Sequence, residues 1–357
     1  MKKALLLLVL VPLFFYGQTT NEERAFAKAV EAIQLMHSGQ IDESIRLLKE
    51  AQRLDPERVD YTYELAVAHY LKEDYEGAIK ILKKIINHKD ASPLFFQLLG
   101  NSYSLSGNSA KAFQTYEAGL KRFPNSGILY LEKGNVHWMK EEFDKALTFY
   151  ERGIKADPSF PSNYYRAAII YLNSTEEVWG MIYGEIFMNL ERNTQRTADM
   201  SRWLYETYRS EINIGNNTIS VSFSRNAIIN ADNFSESNEL RLPFGVGIYE
   251  PTLLISLLSE NTINIHTLNR IRTNFIENYF KLGHDKTHPN ILFSYKKQIK
   301  EAGHLEAYNY WILMKGDEDG FLDWYYENEE KWNNFVEWFL ENPLVIDETN
   351  KFFSGQY

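Results

Sequence analysis

ASPLFFQLLGNSYSLSGNSAKAFQTYEAGLKRFP, residues 91–124, is followed directly by NSGILYLEKGNVHWMKEEFDKALTFYERGIKADP, residues 125–158. Small, aromatic and proline residues recur between the two segments at a spacing of 34 residues. The matched positions are Gly100, Tyr103, Ala112, Tyr116, Gly119 and Pro124 in the first, and Gly134, His137, Ala146, Tyr150, Gly153 and Pro158 in the second. Self-similarity at a fixed period of this size indicates a protein built from stacked structural repeats.

The residue types at these positions have a packing role. Gly or Ala lets two helices approach closely, and a proline at the end of the unit stops the second helix because it lacks the backbone N–H. The pattern resembles the tetratricopeptide repeat (TPR) family, whose unit is a pair of antiparallel helices. The resemblance implies an all-α fold, a solenoid of TPR-type helical hairpins over about residues 25–192. The five repeats begin near Ala25, Val59, Pro93, Gly127 and Pro161.

The fifth repeat departs from the family pattern. Arg192 stands where the closing proline is expected, and Gly184 where a large residue is expected. A second helix is still indicated, because apolar residues between positions 178 and 190 recur at helical spacing. Ser174 and Glu177 have the spacing of a capping box for its start.

In the TPR family the first helix of each repeat lines a concave groove. Positions 5, 9 and 12 of the repeat share one stripe of that helix, because they lie four and then three residues apart. We expect Asn101 and Asn135 to stack one above the other, and an amide that donates and accepts suits an extended peptide backbone. Aromatic residues on the stripe would be apolar anchors. An alternative is that these side chains only pack between helices. The candidate groove residues are Tyr63, Tyr70, Asn101, Asn135, Trp138 and Tyr165.

Residues 1–18, MKKALLLLVLVPLFFYGQ, have the layout of a secretory signal peptide. Lys2 and Lys3 precede an apolar run over residues 4–16, and Gly17 and Gln18 offer a cleavage site. As a helix this run spans only about 20 Å, too short for a hydrocarbon core of roughly 30 Å. We therefore expect export, to a periplasm or to the medium, with no membrane span after signal removal. A membrane anchor or a buried helix is the alternative.

The composition of the 357 residues excludes several classes of function. There is no cysteine, which rules out disulfides, thiolate metal sites and thiol nucleophiles. The formal net charge of −10 disfavours nucleic acid as a partner. His284 and His288 have a spacing that could place two metal ligands on one helix, but Gly283 and Pro289 flank them and favour a loop. We expect no catalytic, cofactor or metal site, and no enzyme activity.

Residues 193–357 break the 34-residue pattern, and we expect a mainly helical cap or second domain there. The sequence predicts a helix at 198–212, a strand at 218–224, which could form a hairpin near 218–242, and a loop at 226–238. Further helices are predicted at 264–282, 290–302, 304–315 and 329–341. Four of the seven Trp lie between Trp311 and Trp338. Their rings form either an exposed aromatic surface for sugars or a basic partner, or part of the core.

These observations predict an exported TPR scaffold that mediates protein–protein interactions in the cell envelope. The partner would be a protein or peptide held in the concave groove. The alternative function is a carbohydrate-binding or hydrolytic C-terminal domain carried on a TPR scaffold.

Overall fold

The computed structural model describes residues 20–215, 218–225 and 242–356. The predicted signal peptide and the predicted loop at 226–238 lie outside these residues. The chain divides into two compact units, one ending at Thr115 and one beginning at Tyr116. The predicted all-α class is confirmed, since the regular elements of the described residues are helices apart from two short paired strands. The predicted division at residue 193 remains a prediction.

The first unit consists of paired helices with alanine at their contacts. Thr20 begins the first helix with a capping box. The Thr20 hydroxyl accepts from the backbone N–H of Glu23, and the Glu23 carboxylate accepts from the backbone N–H of Thr20. Ala25, Ala32 and Ala51 are fully buried, because a small side chain there lets neighbouring helices approach. The helices are α1 Asn21–His37, α2 Ile41–Leu54, α3 Val59–Leu71, α4 Tyr75–Ile85 and α5 Pro93–Leu105, and α6 Ser109–Arg122 continues into the second unit.

The turn inside each of the first four repeats has the same backbone conformation. One residue takes a left-handed φ, and the next N–H bonds back to the carbonyl five residues earlier, which satisfies the end of the first helix. In two repeats the left-handed residue is glutamate, and in both a His–carboxylate contact of 2.6 Å closes the turn, His69 with Asp74 and His137 with Glu142. The left-handed residues lie 34 apart: Gly39, Glu73, Gly107 and Glu141.

The second unit contains the remaining repeats and the helices that follow them. One hydrophobic cluster runs from Ala146 to Phe352, so repeat helices and later helices share a core. The helices are α7 Gly127–Trp138, α8 Phe143–Ala156, α9 Pro161–Leu172, α10 Glu177–Leu190, α11 Gln195–Glu211, α12 Glu250–Ser256, α13 Ile265–Lys281, α14 His284–Thr287, α15 Ile291–Glu301, α16 Leu305–Leu313, α17 Glu318–Glu327 and α18 Glu329–Glu341.

A two-stranded antiparallel ribbon follows α11. Strand β1 (Ile212–Ile214) pairs with β2 (Ile219–Val221), and Ile212 lies opposite Val221. The predicted strand at 218–224 is confirmed, and its partner lies upstream, at the end of the predicted helix. A π-helical turn, Gly245–Tyr249, leads into α12. A side chain at Gly245 would come within 2.5 Å of Ser224, so glycine allows this close approach.

Two local predictions were wrong. The second helix of repeat five begins after Glu176 with no side-chain cap, because the Ser174 hydroxyl accepts from the Glu176 N–H and donates to the Tyr171 carbonyl, and forms no capping box with Glu177. Residues between His284 and His288 form one helical turn, α14, and not a loop. The spacing of the helix starts continues one period past repeat five, since α11 begins at Gln195, 34 residues after Pro161.

Within the described ranges, no helix is both long enough and apolar enough to span a membrane.

Candidate functional site

The six predicted groove residues lie on the first helices of their repeats, and all six side chains are partly exposed. Tyr63, Tyr70 and Asn101 belong to the first unit, and Asn135, Trp138 and Tyr165 to the second. The stacking of Asn101 on Asn135 would join the two units and stays a prediction.

In the first unit the two tyrosines pack against rings of neighbouring helices. Tyr63 on α3 stacks on Phe95 of α5, with ring centroids 4.7 Å apart and planes 13° apart. Tyr70 meets Tyr75 edge-on at 5.6 Å. Burial raises the pKa of Tyr63 to about 12, so its hydroxyl stays neutral. Each of these rings contributes to helix packing as well as to the surface.

In the second unit Asn135 is held by two neighbours. Its amide nitrogen donates to Glu132 Oε2 at 3.1 Å, and its oxygen accepts from the Tyr150 hydroxyl at 3.0 Å. The Tyr150 bond ties α7 to α8 inside repeat four. The Asn135 side chain is therefore hydrogen-bonded within the fold.

An arginine guanidinium group lies over each of two aromatic rings on this face. Arg166 lies 5.0 Å from the centroid of Trp138, and Arg196 lies 4.9 Å from the centroid of Tyr165. Contacts of this kind stabilise by about 0.5–1 kcal/mol at exposed sites. The ring of Tyr165 also stacks with Trp203 of α11, at 6.3 Å. Repeats four and five and the next helix thus form one continuous face.

That face opens into a groove of about 450 Å³ between α9 and α11. Ile169 and Leu172 form the α9 side, at positions 9 and 12 of repeat five, which belong to the stripe predicted to line the concave surface. Trp203 and Glu206 lie 34 residues further on, at the same two positions counted along α11. The remaining lining residues are Asn173, Thr207 and Ser210. We call the surface between α9 and α11 the α9–α11 groove.

The α11 side of this groove was missed in the sequence. If the 34-residue spacing is continued, position 8 of a sixth repeat is Arg202, where the family pattern has a small residue. The sequence motif is therefore lost at α11, although the spacing between helices continues. The signal that could have found it was an aromatic residue, Trp203, at position 9 of a helix that begins one further period along the chain.

A second feature missed in the sequence is a buried charged cluster in the second unit. Arg272 on α13 donates to Glu185 of α10 through two nitrogens, at 2.7 and 3.1 Å, and Lys296 of α15 lies 3.3 Å from the same carboxylate. Asn309 and Tyr208 accept the other guanidinium bonds. The three charged side chains are at most 5% exposed. The sequence pattern that could have predicted this cluster is a charged residue within the apolar stripe of a helix, such as Arg272 between Leu268 and Phe275.

The charges of this cluster determine its protonation. Burial opposes ionisation of Glu185, but Arg272 and Lys296 outweigh it and lower the pKa of the carboxyl to about 2. Burial and the Arg272 charge lower the pKa of Lys296 to about 7. The cavity beside these groups measures about 10 Å³, room for at most one water. The cluster therefore joins three helices and leaves no space for a substrate.

The tryptophans of the last helices belong largely to the core. Trp311 and Trp324 are buried, and Trp332 and Trp338 pack half-buried against the same cluster. The Trp324 indole N–H donates to Glu306 at 2.9 Å. Sugar stacking would need exposed rings on one face, so the carbohydrate alternative loses its main support. Among the residues that the structure describes, no group of three His, Asp or Glu could hold a metal ion.

Paired helices with a repeated turn and a groove on the first-helix face define a helical-repeat scaffold. Two tetratricopeptide repeat models match the sequence, at residues 35–101 and 98–161. The predicted resemblance to the tetratricopeptide repeat family is therefore confirmed over residues 35–161. TPR arrays are scaffolds for protein interactions.

Other proteins are similar to part of this chain. Human cilia- and flagella-associated protein 70 is 28% identical over 162 residues, which cover 42% of this chain and only 14% of that protein. A thermophilic TPR protein of Thermus thermophilus is 16% identical, with a TM-score of 0.42, over 50% of this chain and 98% of that one. PilF of Pseudomonas aeruginosa is 16% identical, with a TM-score of 0.43, over 53% of this chain and 86% of its own.

Proposed function

We propose that this protein is an exported scaffold that binds a protein or peptide partner in the cell envelope through the α9–α11 groove. The observation that carries the proposal is the groove itself. Apolar side chains of Ile169 and Leu172 face the indole of Trp203, in a volume large enough for several side chains of a bound segment. The proposal is supported by Ile169 and Leu172, which occupy two of the repeat positions that the TPR resemblance assigns to the concave face.

The groove offers both apolar and polar contacts. Glu206 and Ser210 are exposed at its α11 side, and Asn173 is exposed at its α9 side, so a bound backbone would find donors and acceptors beside the apolar floor. The floor is preformed by helix packing, so binding a partner has a small ordering cost on the scaffold side. Affinity would come from a few apolar anchors placed against Trp203.

The export part of the proposal is supported by residues 1–18. Their basic start and apolar run have the order of a secretory signal. Fractionation of cells that express the natural chain, with sequencing of the mature N-terminus, tests it. A start just after Gly17 or Gln18 in the exported fraction is expected. An intact N-terminus in the cytoplasm would contradict export and leave the groove proposal unaffected.

A photo-crosslinking residue in place of exposed Ser210, which lines the groove and leaves Trp203 intact, tests the groove. We expect it to capture a partner in envelope extracts, whereas the same residue in place of exposed Glu327 on α17 does not. Glu206→Lys, combined with the crosslinker, should abolish or strongly reduce capture, while Glu327→Lys should leave it unchanged. Equal capture from positions 210 and 327 would contradict a groove-specific partner.

A further inference from the structure

Residues 351–356 return to the second unit and dock on repeat helices far away in sequence. The N–H of Ser354 donates to the Tyr183 hydroxyl at 2.7 Å, and the Ser354 hydroxyl donates to Glu151 Oε1 at 2.5 Å. The Tyr171 hydroxyl lies 3.1 Å from the same serine oxygen. Three helices, α8, α9 and α10, thus each supply one polar partner to a single serine.

The two residues before this serine are also bound individually. Phe352 is 2% exposed, and its ring centroid lies 6.1 Å from that of Trp179. Phe353 lies under the ammonium group of Lys155, which is 4.0 Å from its ring centroid. We call the group formed by Glu151, Lys155, Tyr171, Trp179 and Tyr183 the tail socket. The tail socket binds three consecutive residues: it buries the ring of Phe352, contacts the ring of Phe353 through the Lys155 ammonium group, and hydrogen-bonds Ser354.

The carboxylate at the centre of the socket depends on hydroxyl donors. Glu151 accepts from Tyr171 at 3.0 Å and from Tyr183 at 2.8 and 2.9 Å, in addition to Ser354. Burial raises the pKa of Glu151 even with these bonds. A buried carboxylate is costly unless its lone pairs are satisfied. A serine hydroxyl arriving from a distant segment meets that requirement, and an alanine at position 354 would not.

The segment is attached to the rest of the chain by a stretch without helix. Residues 343–347 have no regular structure, and Leu344 and Ile346 are buried there as separate anchors. Residues 348–350 are exposed, and so is Gln356. The socket contacts therefore rest on residues 352–354, which could leave the socket while Leu344 and Ile346 stay in place.

We propose that residues 351–356 are a ligand held in cis, and that the tail socket is a second binding site, for peptides with Phe two positions before Ser. The site is separate from the α9–α11 groove and does not depend on the proposed function. A partner peptide with this sequence would compete with the segment and free it. Residues 351–356 of a second copy of the chain could also occupy the tail socket, and the test distinguishes this dimer from a peptide complex by its mass.

The test uses the full chain with Phe352→Ala and Ser354→Ala, which vacate the socket. A fluorescent peptide of residues 347–356 should bind this variant, and a peptide with the same two substitutions should not. The unsubstituted chain should bind the peptide at least about tenfold more weakly, because its own segment competes at a high effective concentration. Adding Tyr183→Phe to the vacated chain removes the acceptor of the Ser354 N–H and should also weaken binding about tenfold.

Equal binding of both peptides to the vacated chain, or no binding, would overturn the proposal. If the vacated chain does not fold, hydrogen exchange on the unsubstituted chain decides instead. Excess peptide should speed exchange of the Ser354 amide, and unchanged exchange would overturn the proposal. Sedimentation measures whether the protein contains one chain or two. A dimer in which two chains exchange residues 351–356, and which does not respond to added peptide, would also contradict the proposal. Groove crosslinking from position 210 should be the same in both chains, so failure of the tail socket proposal is distinct from failure of the groove proposal.

Discussion

Replacing Lys296 with methionine should stabilise the second unit at neutral and mildly alkaline pH. The lysine is 3% exposed and shares Glu185 with Arg272, which already donates two hydrogen bonds to that carboxylate. Methionine has a similar length and no charge, and its neighbours in the adjacent cavity include Met181, Leu253 and Leu292. The Arg272–Glu185 pair, which balances its own charge, would remain.

The magnitude follows from the pKa of Lys296. It is about 7 in the folded protein against 10.5 for an ordinary lysine, so the unfolded chain binds a proton that the folded chain does not between these two values. Stability from this group is therefore fully present above pH 10.5 and is lost as pH falls toward 7, by about 1.4 kcal/mol per pH unit. At about pH 8 the cost of the lysine is roughly 3 kcal/mol, and methionine should recover about 2–3 of it, or about 4–12 °C in Tm.

Urea unfolding followed by tryptophan fluorescence measures this effect. All seven Trp of the chain lie after Tyr116, so the signal reports on the second unit. Unfolding of the natural chain and of Lys296→Met should be compared at several pH values between neutral pH and 10. The matched control is Lys300→Met on the same helix, where an exposed pair with Glu277 is removed and at most about 1 kcal/mol is expected.

The reasoning would be refuted by either of two results. One is a loss of more than about 1 kcal/mol in Lys296→Met near pH 8, which would mean that the lysine stabilises the cluster. The other is an unchanged slope of stability against pH in the variant, which would mean that Lys296 does not titrate in this range.

Three further substitutions test the packing of the second unit by the same urea assay. Glu185→Gln leaves the buried Arg272 guanidinium without its counter-charge and should cost about 3–5 kcal/mol; a loss below about 1 kcal/mol would contradict the pairing. Gly134→Ala places a methyl group 2.2 Å from the Tyr150 ring and should cost about 1–3 kcal/mol; no loss would mean that the ring moves away freely. Asn290→Ala removes an N-cap that accepts from two backbone N–H groups of α15 and should cost about 1–2 kcal/mol, most of it regained in Asn290→Ser; an equal loss in both variants would assign the effect to packing.

Much of the repeat region could be predicted from the sequence because its constraints are local. The helices begin close to the five predicted starts, since small residues at fixed positions and closing prolines determine where two helices pack and end. Gly283 and Gly303 have left-handed φ at the ends of α13 and α15, so those ends could be predicted as well. The strand at 218–224 followed from alternation alone.

The rest could not be predicted because it depends on contacts between distant residues. Glu185 and Arg272 are 87 positions apart, and no local pattern shows which charge meets which. Ser354 and Glu151 are 203 positions apart, and neither belongs to a motif. In the candidate groove, the stripe positions of repeat five were predicted, whereas the α11 side was missed because its sequence had lost the family's small residue.

The left-handed glutamates Glu73 and Glu141 have a consequence at the level of the gene. A left-handed backbone costs a residue with a Cβ about 1–2 kcal/mol, and glycine recovers part of this after its own entropy loss. Every glutamate codon becomes a glycine codon through one change at its second base. Two turns of the array are therefore each one nucleotide from a form that the backbone prefers, while the neighbouring histidine–carboxylate contacts close the turns as they stand. One base change in either codon would therefore remove the left-handed strain from that turn.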